Sequence, residues 1–133
     1  MGAVFLTLKE IGTIADSMNL TVSLRGSYEQ RPTCQIVHLT GQFDAFSEPN
    51  VRKEFERLLE SGPQHLILDM KGIDFLDSSG LGVLIQTAKQ IEGKGSLQII
   101  GNPRVVQSIK LVRLEKFLPL RETLDEALAA VPN

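Results

Sequence analysis

The chain has 133 residues, with 14 Lys and Arg, 16 Asp and Glu and a formal net charge of −2, a length that suits one domain with a real core. Hydrophobic residues are 42 % and charged residues 23 % of the chain, the balance of a globular fold, and no basic stripe marks a nucleic-acid partner. No stretch approaches the roughly 20 apolar residues of a membrane-spanning helix. Lys9, Glu10 and Asp16 interrupt the apolar residues of the N-terminus, which lacks the positive start of a signal peptide. A single cysteine, Cys34, excludes an intrachain disulfide and fits a reducing compartment. These features predict a cytoplasmic protein with no membrane contact.

Residues 1–17 have mixed periodicity and read as an N-terminal extension, in which Phe5-Leu6 and Ile11 to Ile14 suit packing on a sheet edge or a homodimer contact. Met18 is a possible alternative start of translation. Residues 18–133 read as one domain. Leu20, Val22 and Leu24 alternate with polar residues, predicting a half-buried strand over 20–25. Gly26 and Pro32 bound a turn over 26–32, and CQIVHLT (34–40) predicts a second strand, antiparallel to the first. Ser47 then offers an N-cap whose hydroxyl accepts from first-turn amides, and Pro49 is early enough to be tolerated. Val51, Phe55, Leu58 and Leu59 share one helical face, and Gly62-Pro63 ends that helix.

HLILDM (65–70) is a nearly continuous apolar run, as in a strand covered on both faces. Residues 72–76 lead into LDSSGLG (76–82). Beyond it Leu81, Leu84, Ile85, Ala88 and Ile91 mark a second helix facing the sheet, closed by Gly93 and Gly95. SLQIIG (96–101) predicts another strand, followed by an Asn102-Pro103 turn. Val105, Val106, Ile109, Leu111 and Val112 suit a short third helix. KFLPL (116–120) reads as an edge strand because of Pro119. A last helix over 122–131 turns Leu124, Ala127, Leu128 and Val131 inward. Strands alternating with helices predict an α/β fold: a mixed, mainly parallel sheet of about five strands flanked by about four helices.

Asp44, Asp69, Asp74 and Asp77 all follow or end strands, where sites form in parallel sheets. A phosphoacceptor receiver domain would need an acidic pair after its first strand and a Lys after its last; Arg25-Gly26 and Leu120-Arg121 stand there instead. Capping of a local turn is the role expected of Asp69. Gly80-Leu81-Gly82 begins a dinucleotide fingerprint that Ile85 breaks, and no P-loop lysine is present. His38 and His65 are the only histidines and G-x-S-x-G is absent, so Ser79 has no evident base. Two histidines and one cysteine make a poor metal set. No cofactor and no metal are expected.

LDSSGLG itself lies where a strand gives way to a helix. A helix N-terminus has unpaired amides and the positive end of a dipole, so Ser78 or Ser79 can cap it. The second serine and Asp77 need more. A phosphate there would add roughly −1.5 to −2 charge at pH 7, which a helix end can hold, while a partner packed on this surface would be repelled. On physical grounds either serine could carry it.

Three stretches, GQFDAFSEPNVRKEFERLLES, HLILDMKGIDFLDSSGLGVLIQTAKQ and GSLQIIGNPRVVQSIKLVRLEKFLPL, together resemble the STAS domain of bacterial anti-sigma factor antagonists over about residues 18–131. Asp77-Ser78-Ser79-Gly80-Leu81-Gly82 is the most specific piece, and Leu39-Thr40-Gly41-Gln42-Phe43-Asp44 is similar to the family's L-x-G-x-x-D element. The resemblance implies the STAS fold and a binding role rather than an enzymatic one. The implied partner is an anti-sigma factor that is also a serine kinase of the histidine-kinase-like ATPase fold. It implies phosphorylation of the second serine, Ser79, release of the partner, and reset by a serine phosphatase. It also places Asp44 against the kinase. The expected contact surface comprises Asp44, Phe46, Asp77, Ser78, Ser79, Gly80, Leu81, Gly82, Val83 and Gln86, with Val83, Gln86 and Gln90 outward on the helix. Two other readings are a non-switching STAS subunit of another ATPase or assembly, and a small hydrolase or transferase using Ser79 with Asp44 or Asp77.

Overall fold

A computed structural model describes residues 16–132. The strands are β1 (Asp16–Thr21), β2 (Leu24–Gln30), β3 (Gln35–Phe43), β4 (His65–Leu76), β5 (Ser96–Gly101) and β6 (Leu120–Arg121), and the helices are α1 (Glu48–Ser61), α2 (Ser78–Ile91), α3 (Pro103–Leu111) and α4 (Leu124–Ala129). One six-stranded sheet runs in chain order from β1 to β6. The first two pairings are antiparallel and the last three parallel. Each parallel step carries a helix, as a crossover requires.

The helices divide between the two faces. α1, α2 and α3 cover the larger core, where Val51, Phe55, Leu84, Val105 and Ile109 meet Val37, Leu39, Leu66 and Leu68 of the sheet. On the other face α4 buries Ala127 against Ile36, Ile67 and Ile100. β4 is thus apolar on both sides, which explains the continuous run of residues 66–68. Cys34 is buried in the smaller cluster. Among the described residues no helix is long and apolar enough to cross a membrane.

The N-terminal half departs from the expected outline. The strand predicted at 20–25 is split by a two-residue hairpin turn at Val22-Ser23, with Thr21 paired to Leu24 and Val22 fully exposed. Leu20 and Leu24 both lie inward, so alternation alone hid the reversal. The turn predicted at 26–32 is mostly strand, with Gly26, Ser27 and Tyr28 paired to both neighbours. The extra strand raises the count from about five to six. β1 begins at Asp16 and Met18 is part of the core, so Asp16 and Ser17, expected in the extension, belong to the first strand. The rest of the expected extension lies outside the described residues.

Two further differences lie near the C-terminus. α3 includes Leu111 as expected but stops short of Val112, because Arg113 takes a left-handed φ of 56°, its N–H reaches Lys110 O and that of Leu114 reaches Ile109 O, the pattern of a Schellman stop. β6 is only Leu120–Arg121, later than the predicted 116–120, and is the edge strand expected from Pro119.

Candidate functional site

The parallel pairing of β3 and β4 brings their C-terminal ends to one edge of the sheet, with Phe43 opposite Leu76. Gly41 prepares this end. Its φ is +118°, and a Cβ there would lie 2.1 Å from the Ser23 carbonyl oxygen, so only glycine lets Gln42 N–H bond that oxygen at 2.9 Å.

The β3–α1 loop then closes on itself. Ser47 N–H donates to Asp44 Oδ1 and Asp44 N–H donates to Ser47 Oγ, both at 3.0 Å. Ser47 occupies the N-cap position of α1, yet its hydroxyl caps no amide of that helix. It is turned back to residues 42–44 and is fully buried, contrary to the role expected for it. Phe46, two residues after Asp44, is 75 % exposed.

The second loop is organised by Asp77 rather than by either serine. Asp77 is the N-cap of α2, and its Oδ1 accepts from Ser79 N–H at 2.9 Å and Gly80 N–H at 3.1 Å. Its Oδ2 accepts from Ala45 N–H at 3.2 Å, and its own N–H donates to Phe43 O at 3.3 Å. One carboxylate therefore caps the helix and ties the two loops together. This corrects the expectation that Ser78 or Ser79 caps α2. The helix starts one residue earlier, and a charged acceptor at the positive end of the dipole outcompetes a hydroxyl.

The consequence is that neither serine hydroxyl has a hydrogen-bond partner among the described residues. Ser78 is exposed and Ser79 half-buried. Gly80 is buried, and a Cβ on it would stand 2.8 Å from the Phe43 carbonyl oxygen. Its bare backbone lets the first turn of α2 press on the end of β3. Gly82 is exposed, with nothing within 4 Å of a Cβ.

Along α2 the exposed positions are Ser78, Gly82, Gln86, Lys89 and Gln90. Val83, expected on the outward face, is 3 % exposed and belongs to the core. α2 packs on α1 as well as on the sheet, so its buried arc is wider than one stripe: Leu81, Val83, Leu84, Thr87 and Ile91. Gly80 and Leu81 are buried too, and present no free side chain at the surface.

Neither imidazole serves Ser79. His38 Nδ1 pairs with Asp69 Oδ2 at 2.8 Å across β3 and β4, about 16 Å of strand from Phe43 at 3.3 Å per residue. His65 Nδ1 meets Ser96 Oγ at 3.0 Å at the far end of β4. Asp69 also accepts from Lys71 N–H at 3.2 Å, so its expected local turn is present with the histidine added. The hydrogen bond from Asp69 raises the His38 pKa above its usual 6.5, against burial. Burial pushes the Asp69 carboxyl up, but the His38 and Lys71 hydrogen bonds outweigh it and leave the pKa below 3.8. No group of three His, Cys, Asp or Glu able to hold a metal occurs among the described residues.

The arrangement is a small surface of two tied loops, with two serine hydroxyls on a preformed helix end that have no hydrogen-bond partner among the described residues, and with both imidazoles paired elsewhere. Residues 27–127 match the STAS domain family. The chain is 30 % identical over 114 residues to an anti-sigma F factor antagonist of Paenibacillus polymyxa, spanning 84 % of this chain and 94 % of that one. It is 30 % identical over 89 residues to an anti-sigma-B factor antagonist of Bacillus subtilis, spanning 67 % and 77 %. The crystal structure of an anti-sigma factor antagonist from Mycobacterium paratuberculosis is similar with a TM-score of 0.77 at 27 % identity, over 84 % of this chain and 96 % of that one.

Proposed function

This chain belongs to the STAS domain family, and on that premise we propose that it is an anti-sigma factor antagonist acting by partner switching. Unphosphorylated, it binds an anti-sigma factor that is also a serine kinase, through the exposed edge formed by Asp44, Phe46, Ser78, Ser79, Gly82 and Gln86. The Ser79 oxygen attacks the γ-phosphorus of the kinase's ATP, ADP leaves, and the hydroxyl proton passes to a base of the kinase. The new dianion stands beside Asp77 and Asp44 on a surface the kinase had covered. Like charge and the desolvation of a phosphate then expel the partner without any change of fold. A serine phosphatase resets the cycle. Such a cycle belongs in the cytoplasm, where ATP is at hand.

The observation that carries this reading is the division of labour at the α2 N-terminus. Asp77 does the capping, so the Ser79 hydroxyl, which has no hydrogen-bond partner among the described residues, can be modified without melting the helix. The choice of Ser79 over Ser78 follows the family motif, whose second serine is the acceptor.

The test is to incubate the protein with ATP and the candidate serine kinases of its own genome and to map phosphate by mass spectrometry. Ser79 is the expected site. Modification at Ser78 or elsewhere, or none by a kinase that binds tightly, refutes the reading. Ser79→Ala should bind the kinase and resist modification. Ser79→Asp should bind weakly while its far-UV circular dichroism stays native.

A further inference from the structure

A second feature lies on the same edge of the sheet. The tail of β4 and one side of α3 enclose an open cleft of about 330 Å³, walled by Phe75 and Leu111 with Arg104 and Asp74 also in its lining. Phe75 is 50 % exposed and Leu111 74 % exposed. A single exposed apolar side chain is ordinary, but these two stand together and line one cleft. The walls are held in place. Asn102 Nδ2 donates to Lys71 O at 3.0 Å and Ile73 O at 2.7 Å, while its Oδ1 caps α3 through Val105 N–H at 2.9 Å. The cleft therefore exists before anything binds.

We infer that this cleft is a second contact subsite for the anti-sigma kinase, receiving an apolar side chain that is flanked by a carboxylate. The inference rests on the partner-switching reading. Three observations select this occupant. The first is continuity: Phe75 stands two residues before Asp77 in the strand that ends at the Ser79 junction, and Phe46 is exposed in the loop that Asp77 ties to that junction. A body seated on Ser79 reaches the cleft without leaving the sheet edge. The second is size: 330 Å³ is the share of about ten waters, room for one large side chain in an open groove. The third is charge. Arg104 and Asp74 both line the cleft, and Arg104 Nη1 donates to the Asp74 backbone oxygen at 3.1 Å, which holds the guanidinium at the cleft with its other N–H groups left for a carboxylate. An apolar anchor with an acidic neighbour complements both.

The subsite is tested with full-length protein and the kinase that phosphorylates Ser79, by calorimetry at fixed nucleotide. Leu111→Glu and Arg104→Glu should each raise Kd at least tenfold and slow Ser79 phosphorylation at sub-saturating protein. Phe117→Glu, at an exposed apolar residue outside the cleft, should bind within twofold of wild type. Both cleft variants binding like wild type overturns the inference and leaves the switch intact. If either variant misfolds, hydrogen exchange on the wild-type complex decides: protection of 73–76 and 103–111 together with 77–86 supports the subsite, and protection of 77–86 alone overturns it. Failure of every kinase to modify Ser79 removes the switch, and the subsite with it.

Discussion

Removing the Asp77 carboxylate tests the organisation of the site most sharply. In Asp77→Ala the amides of Ser79 and Gly80 lose their cap acceptor, which costs about 1 kcal/mol. The favourable charge at the α2 N-terminus goes as well, for roughly 0.3–1 kcal/mol. Ala45 N–H loses its link to the helix, worth about 0.5 kcal/mol because water can replace an exposed acceptor. The sum is about 2 kcal/mol. That lowers the urea midpoint by about 1 M for a slope near 2 kcal/mol/M, and Tm by about 6–10 °C for a domain of this size. Asp77→Asn, which keeps one oxygen on the cap, should fall about halfway. Ser79→Ala should stay within about 0.5 kcal/mol of wild type, because its hydroxyl has no hydrogen-bond partner among the described residues. Urea unfolding followed by circular dichroism reads all three. An Asp77→Ala variant within 0.5 kcal/mol of wild type, or a Ser79→Ala variant costing more than about 1 kcal/mol, would refute the division between cap and acceptor.

Other outcomes follow from neighbouring residues. Gly80→Ala places a Cβ against the Phe43 carbonyl and should cost about 1–3 kcal/mol, whereas Gly82→Ala meets open space and should gain up to about 1 kcal/mol of helix propensity; opposite signs in denaturant midpoints check the pair, and equal signs count against the packing described. The His38 pKa is raised in the folded state by Asp69, so the charged pair stabilises the fold fully below about pH 6.5 and the contribution fades as pH rises through the folded value. The imidazole midpoint measured by NMR should lie above 6.5 and drop in Asp69→Asn; a midpoint at or below 6.5 in the wild type would contradict the pairing.

Much of the fold is written in local pattern. Val51, Phe55, Leu58 and Leu59 repeat at helical spacing and form the buried face of α1, and the apolar run of 66–68 is buried from both sides of the sheet. What stayed hidden depends on neighbours distant in sequence. Val22-Ser23 has no glycine, asparagine or proline to announce a hairpin, so Leu20 and Leu24 read as one strand. Gly26 reads as a turn signal but lies in β2, between β1 and β3. Val83 is buried rather than outward because α1 shares in burying α2, which no single-helix periodicity reveals.

At the site, the motif from Asp77 to Gly82 was visible as chemistry without partners. The identity of the cap was not, since it depends on where the helix starts and on an amide contributed by Ala45. The family resemblance, not the physics of the residues, singled out the acceptor serine and the kinase. The Phe75–Leu111 cleft joins residues far apart in the chain and could be found only in three dimensions.

The central measurement is the affinity of the kinase for this protein before and after stoichiometric phosphorylation of Ser79, with native circular dichroism confirmed for both forms. Partner switching by charge predicts a Kd at least tenfold higher for the phosphorylated form on an unchanged fold. Equal affinities for the two forms would contradict it.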